Sequence, residues 1–387
     1  ATTEIYTRLV VGSVRCVSET GREGTIILRG DNAVSMAAGL GWYIRTYLKG
    51  CLSWCGSRMD QPEELPLPRP YRRVIAQKYR AYMNYCTFQY SASWWNWERW
   101  EKELDLMALS GINLPLCMVG LEAVWYETLC SLGLPEEEAR SCISGPAFLA
   151  WQWMGNIDGF LGPIPKDWLK QRLELGRKIL SRMLELDMTP IQQGFSGAVP
   201  KKLIELFPNA GITESGKWFG VAGTAQLDPT DPLFQTIGSL FLKEQDRLFG
   251  SYGHYAADPF QEGKPPVDTP DYLARVGAAV HSLIRGFDLK GICVMQSWSI
   301  RREIVLAMPK ADLLILDLNG VGHEKHDSFW GYSFVTGNLH NFGGRTKLHG
   351  DLKLLSENQF LEIKKTAKNV CGSGLFMEAV SYTHLRA

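Results

Sequence analysis

Two glutamates mark the chemistry open to this sequence. Glu262 ends the stretch Asp258-Pro259-Phe260-Gln261-Glu262, and Glu378 ends Gly372-Ser373-Gly374-Leu375-Phe376-Met377-Glu378; each follows a strand-like run. A carboxyl just beyond the carboxy end of a strand is where a (β/α) barrel keeps its reacting groups. A pair of them in a chain with 13 tryptophans points to cleavage of a glycosidic bond. In that reaction one carboxylic acid protonates the leaving oxygen while the other carboxylate acts at the anomeric carbon. Either glutamate taken alone reads equally well as an exposed loop residue.

Such a pair needs a parallel sheet to bring it together, and the chain alternates as such a sheet requires. Glu98 to Leu109 sets Trp97, Trp100, Leu104, Met107 and Ala108 on one helical face. Gly111 then ends the helix, because glycine readily takes the left-handed conformation just past a last turn. Ile112-Asn113-Leu114-Pro115-Leu116-Cys117 follows as a strand, with its proline expected near an end or a bulge. Leu169 to Leu186 and Tyr272 to Phe287 repeat the pattern, and Ala311 to Asp317 is a continuous apolar strand core, suited to a sheet buried on both faces. Strands are expected near residues 79–86, 112–117, 188–193, 253–257, 291–297, 312–317, 332–340 and 373–378. Parallel strands need crossover helices, and eight of them imply closure into a (β/α)8 TIM-like barrel.

Ahead of the barrel, residues 1–70 read as a small α/β domain. Gly24 to Gly30 is its strand and Asn32 to Tyr47 its helix, while Pro62, Pro66, Pro68 and Pro70 break regular structure and set the boundary. Residues 71–387 then form the catalytic barrel.

Composition narrows the partners. Lys+Arg and Asp+Glu are equal at 41 each and no polybasic run occurs, so nucleic acid is not expected as a partner. No apolar run reaches the roughly 18 residues of a membrane span, and the amino end lacks the plan of a signal peptide. The nine cysteines are scattered, and Cys51 and Cys55 have no second pair or histidine cluster beside them, so no metal site is expected. Cysteine usage leaves compartment and disulfide status open.

Polar and aromatic residues gather at the expected strand ends: Asn84, Cys86 and Thr87 after the first, Glu122 and Trp125 after the second. Glu262 follows the fourth, Gln296 and Trp298 the fifth, Asp317 and Asn319 the sixth, His340 and Asn341 the seventh. Barrel loops would bring these groups to one pocket. Among the tryptophans, Trp97 and Trp100 read as core, whereas Trp151, Trp218 and Trp298 lie in turn-like contexts and read as core or as faces for a sugar.

Several stretches together resemble glycoside hydrolase family 89, the α-N-acetylglucosaminidases. They are Tyr82 to Thr87, Trp94-Trp95-Asn96-Trp97, Met107 to Asn113, Gly145 to Trp151, Met154-Gly155-Asn156, Asp258 to Glu262 and Leu339 to Gly344. The likeness runs in order from about residue 20 to about residue 380. It implies a small α/β domain, a barrel with the active site, and an all-helical carboxy-terminal domain that this chain lacks. It also implies retaining hydrolysis of terminal, non-reducing α-linked N-acetylglucosamine, with no cofactor, in a secreted or lysosomal setting. Glu262 matches the acid/base position and Glu378 the nucleophile position. Asn84, Cys86, Trp151, Asn156, Trp218, Trp298 and His340 match positions around the sugar, and Glu122 and Asn341 join them as expected substrate contacts.

The chain departs from the family's pattern in places. Gln261 stands where an asparagine is usual, Ala198 replaces a histidine and Leu121 a glutamine. A barrel glycosidase of other specificity, α-glucuronidase-like or hexosaminidase-like, remains an alternative, as does a silent carbohydrate-binding fragment. Homo-oligomerisation through absent regions also stays open. Two geometric expectations follow: Asn84, Trp151, Glu262, Trp298, His340 and Glu378 line one pocket, and the two carboxyls stand about 5–5.5 Å apart.

Overall fold

Eight short parallel strands form the frame, in the computed structural model of this chain, which describes residues 14–19, 26–53, 56–343, 353 and 359–379. They are β1 (Tyr79–Tyr82), β2 (Leu114–Pro115), β3 (Gln192–Gln193), β4 (His254–Ala256), β5 (Ile292–Gln296), β6 (Leu313–Asp317), β7 (Ser333–Asn338) and β8 (Val370–Leu375). Their lateral order is 2-1-8-7-6-5-4-3, the order of a ring opened between β2 and β3. A parallel bridge between Leu116 and Ile191 spans that last gap, where the Cys117 amide donates to the Ile191 carbonyl at 2.8 Å. All eight expected strands are present, several trimmed at their ends.

The sequence explains the layers. β6 is buried along its whole length, as its continuous apolar run requires, and helices Trp97–Leu109, Lys166–Glu185, Pro232–Phe249 and Pro270–Phe287 supply crossovers. Trp100, Leu104, Met107 and Ala108 are the buried face of the first of these, and Gly111 beyond it takes φ 77°. Pro115 sits within β2 itself, a strand of only two residues.

The first domain corrects one expectation. Its antiparallel sheet has the order Ile27–Gly30, Val14–Glu19, Tyr71–Ile75, so a strand beyond residue 70 completes it. The prolines interrupt the chain without ending the domain, because the backbone re-enters the sheet edge afterwards. Helix Ala33–Tyr47 packs on this sheet and against helix Trp97–Leu109 of the barrel.

Candidate active site

The first barrel loop sets the floor of the site. Asn84 caps helix Tyr85–Tyr90 in a reciprocal capping box with Thr87, and its Oδ1 accepts from the Cys86 amide at 3.3 Å. The Thr87 hydroxyl donates to the Met377 carbonyl, tying this helix to the chain just before Glu378. Cys86 is thereby fixed at the start of the helix, with its sulfur 3.8 Å from that of Met154. Burial pushes the Cys86 thiol well up, and the nearby carboxylates of Glu378 and Glu262 push it further. Both glutamates therefore act electrostatically on one side chain, although they arrive from strands β8 and β4.

Glu378 lies just past β8 and is half-buried. Asn341, at 0% exposure, grips its backbone: the Asn341 Oδ1 accepts from the amides of Glu378 and Ala379, each at 3.1 Å. The Asn341 side-chain amide donates in turn to the Ala379 carbonyl. The carboxylate itself accepts from the Gly343 amide at 2.8 Å. Glycine is needed there because a Cβ would overlap the Tyr90 ring.

Glu262 is exposed, on a turn that follows β4 and is closed by the Gly263 amide donating to the Phe260 carbonyl at 3.1 Å. Its Oε2 accepts from Asn156 Nδ2 at 3.0 Å and from Trp218 Nε1 at 2.8 Å. Two crossover insertions supply these donors. Asn156 follows the short helix Leu149–Trp153, and Trp218 starts a tight turn inside a small antiparallel sheet of Ala198–Val199, Ile212–Glu214 and Ala225–Leu227. Gln261 does not face outward: its amide donates to Gln296 Oε1 at 3.1 Å, and both side chains are buried. The longer side chain at this departure from the family pattern reaches back to the barrel.

Aromatic rings form one wall. Trp151 Nε1 donates to the Tyr90 hydroxyl at 3.2 Å, and the Trp151 and Trp218 rings meet edge-to-face at 4.8 Å. The Tyr90 hydroxyl is pushed well up by burial first, then by Cys86 and Glu378, which sets it beside the same carboxylate.

Not every expected residue joins this group. Cys86, Trp151, Asn156, Trp218, Glu262 and Glu378 come together, with Asn84 directly beneath. Glu122 belongs elsewhere: it is buried, its carboxyl pushed up by that burial, and it accepts from Trp168 Nε1 at 3.0 Å. A helix N-terminal turn that points into the barrel wall explains its placement. Asn341 serves the backbone behind Glu378, and His340 at 0% exposure is sealed beside it; neither forms the open face. Trp298 is 46% exposed on the turn Ser297–Ser299. Trp151 sits in a helix, not a turn.

Sequence reasoning missed Tyr90 and Met154 as members of the wall. Tyr90 is the last residue of a six-residue helix whose first two residues fall in the expected strand 79–86, so its spacing from Cys86 on one helical face gives no signal in the sequence. Met154 lies within a quoted motif and carried no chemical signal of its own.

Comparison with known proteins fits this geometry. Residues 80–385 match the family model described as the alpha-N-acetylglucosaminidase (NAGLU) tim-barrel domain, and residues 12–67 match the corresponding N-terminal domain. Alpha-N-acetylglucosaminidase from Homo sapiens is 36% identical over 380 residues, covering 93% of this chain and 51% of that protein. The chain thus spans about half the length of this curated relative. A family 89 glycoside hydrolase from Clostridium perfringens, solved with 2-acetamido-1,2-dideoxynojirmycin, superposes with a TM-score of 0.91 at 30% identity, covering 97% of this chain and 44% of that one. The Clostridium perfringens enzyme bound to its substrate GlcNAc-alpha-1,4-galactose gives 0.89 at 29% identity, covering 96% of this chain and 43% of that one.

Proposed function

This chain belongs to the α-N-acetylglucosaminidase family of glycoside hydrolases, and we propose that it carries the catalytic pair for removing terminal, non-reducing α-linked N-acetylglucosamine with retention. One observation carries the reading: the rings of Trp218, Trp151 and Tyr90 run without a break from the Glu262 carboxylate to Gly343, whose amide meets the Glu378 carboxylate. Two carboxyls converging from different strands on one cleft suit acid-assisted displacement at a sugar.

Glu262 is the acid/base in this proposal. Both donors reach its Oε2, which leaves Oε1 to hand the proton to the glycosidic oxygen. Glu378 attacks the anomeric carbon and forms a covalent glycosyl-enzyme; Glu262 then takes a proton from water, which opens that ester. Cys86, Trp151 and Trp218 shape the cleft, and Asn84 and Asn341 position what touches the sugar. Family membership supports the extracytoplasmic setting as part of the same proposal. Among the described residues no helix is long and apolar enough to cross a membrane.

The test is hydrolysis of p-nitrophenyl α-N-acetylglucosaminide by the chain and by Glu378→Gln. We expect a loss on the order of 10⁴-fold or more, as when other covalent nucleophiles are removed. NMR should show the α-anomer released first. Full activity in Glu378→Gln ends the assignment, and the β-anomer first ends the retaining mechanism. Sugar binding without turnover assigns this chain a binding role.

A further inference from the structure

The aromatic wall continues beyond the residues that hold the carboxyls. Tyr90 meets Trp151 edge-on at 6.0 Å and 80°, Trp151 meets Trp218 at 4.8 Å and 61°, and Trp218 meets Phe219 at 4.7 Å and 90°. These four rings form a file with a direction. Its Tyr90 end packs on Gly343, whose amide donates to the Glu378 carboxylate, and its third ring donates to Glu262. Phe219 is one ring farther out on the Glu262 side.

Phe219 is costly where it stands. It is 89% exposed at the tip of a two-residue turn, with φ 45° and Gly220 after it at φ 84°. Trp218 and Val221 lock that turn through reciprocal backbone bonds of 2.9 Å. A large residue at positive φ is strained, and such strain concentrates at functional positions. Nothing in the turn requires phenylalanine, because asparagine or glycine would adopt the same backbone with less strain.

We propose that Phe219 is the platform for the leaving group, receiving the apolar face of the second sugar of an α-N-acetylglucosamine-terminated glycan. This rests on the reading of Glu262 as acid and Glu378 as nucleophile. An acid must reach the glycosidic oxygen, so the leaving sugar lies on the acid's side of the cleft, while the nucleophile sits against the terminal sugar. Trp218 fixes the acid, and Phe219 extends its wall in that direction. Stacking of this kind is made equally before and in the transition state, so it governs KM more than kcat.

The experiment compares Phe219→Asn, chosen because asparagine tolerates the backbone, with the unaltered chain and with Phe219→Trp. The substrates are GlcNAc-α-1,4-galactose and α-N-acetylglucosaminyl fluoride, whose leaving group is a single atom. We expect Phe219→Asn to raise KM for the disaccharide roughly three- to tenfold, the range of one aromatic contact. Its action on the fluoride should stay within about twofold, and Phe219→Trp should restore the disaccharide KM. Equal loss on both substrates, or no change on either, overturns the proposal. If the unaltered chain cleaves neither substrate, the glycosidase reading has failed separately. The disaccharide dissociation constant, followed by tryptophan fluorescence, then decides: weakening in Phe219→Asn supports the platform, and an unchanged constant overturns it.

Discussion

Glu262 and Glu378 stand at the two ends of one file of aromatic rings, but they are held by opposite means. Glu378 is fixed through main chain: Asn341 clamps the amides of residues 378 and 379, and the Gly343 amide meets the carboxylate. All of this support comes from the exit of the adjacent strand, β7. Glu262 is exposed and is held by two side chains, Asn156 and Trp218, lent by separate insertions. The difference suits the proposed roles. A nucleophile must keep one attack distance, and a misplacement of about 1 Å can cost on the order of a hundredfold in rate. A group that gives and then recovers a proton tolerates softer support.

Asn341→Ala tests the rigid half and should have the largest effect. It removes every side-chain bond of the clamp, leaving the Glu378 amide only its 3.4 Å bond to the carbonyl of residue 341 and the Ala379 amide without this partner, at a cost of about 1–3 kcal/mol. We expect a lower urea midpoint together with a fall in kcat of roughly a hundredfold, as the carboxylate drifts. A variant that keeps both would show that β8 alone positions Glu378. Asn156→Ala tests the soft half. Here we expect about a tenfold drop in kcat/KM and an unfolding free energy changed by no more than roughly 0.5 kcal/mol, because Trp218 still holds the same oxygen. If it destabilises as much as Asn341→Ala, the contrast between the two supports is lost.

The rigid half was also the more legible one. Strand β6 announces itself as an unbroken apolar run, and glycines such as Gly111 mark helix ends, so the barrel order could be read from local chemistry. Glu378 follows from the same grammar, being a carboxyl just past a strand. The Trp218 turn could not be read that way. Its small sheet is built from short pairings such as Ala198–Val199 with Ala225–Leu227, too brief to leave a period in the sequence. Glu122 misled for a related reason: strand-end position predicts the correct rim of the barrel, but which side chains turn inward depends on the first helical turn. His340 and Asn341 lie at the end of β7 as their strand-end position suggests, and both are fully buried, which strand-end position alone does not foretell.

The last prediction reaches the foot of the softer support. Asp258 holds the start of the Glu262 turn, its Oδ1 accepting from the Gln296 amide at 2.6 Å, just as Asn341 holds Glu378. The difference is that Asp258 can titrate. Its Oδ2 is cut off from solvent and has no hydrogen-bond partner among the described residues, and burial raises its pKa from 3.8 to about 7. The titratable groups that feel it, Tyr85 and Cys293, are themselves pushed further up by burial and stay neutral throughout that range. Between pH 3.8 and about 7 the folded chain keeps a proton here that the unfolded chain has lost. Folded molecules then bind more protons than unfolded ones, so this group's contribution to stability is greatest below pH 3.8, declines as pH rises through the window, and is flat above about 7. Asp258→Asn keeps the acceptor and removes the titration. Against this variant, the unaltered chain should lose stability steadily between those limits, by no more than about 4 kcal/mol and in practice less, since water can relax around the charge. Thermal midpoints of both proteins from pH 4 to 8 provide the measurement. Parallel curves would mean that Asp258 carries its charge at no cost, and that the foot of Glu262 is as insensitive to pH as the amide clamp beneath Glu378.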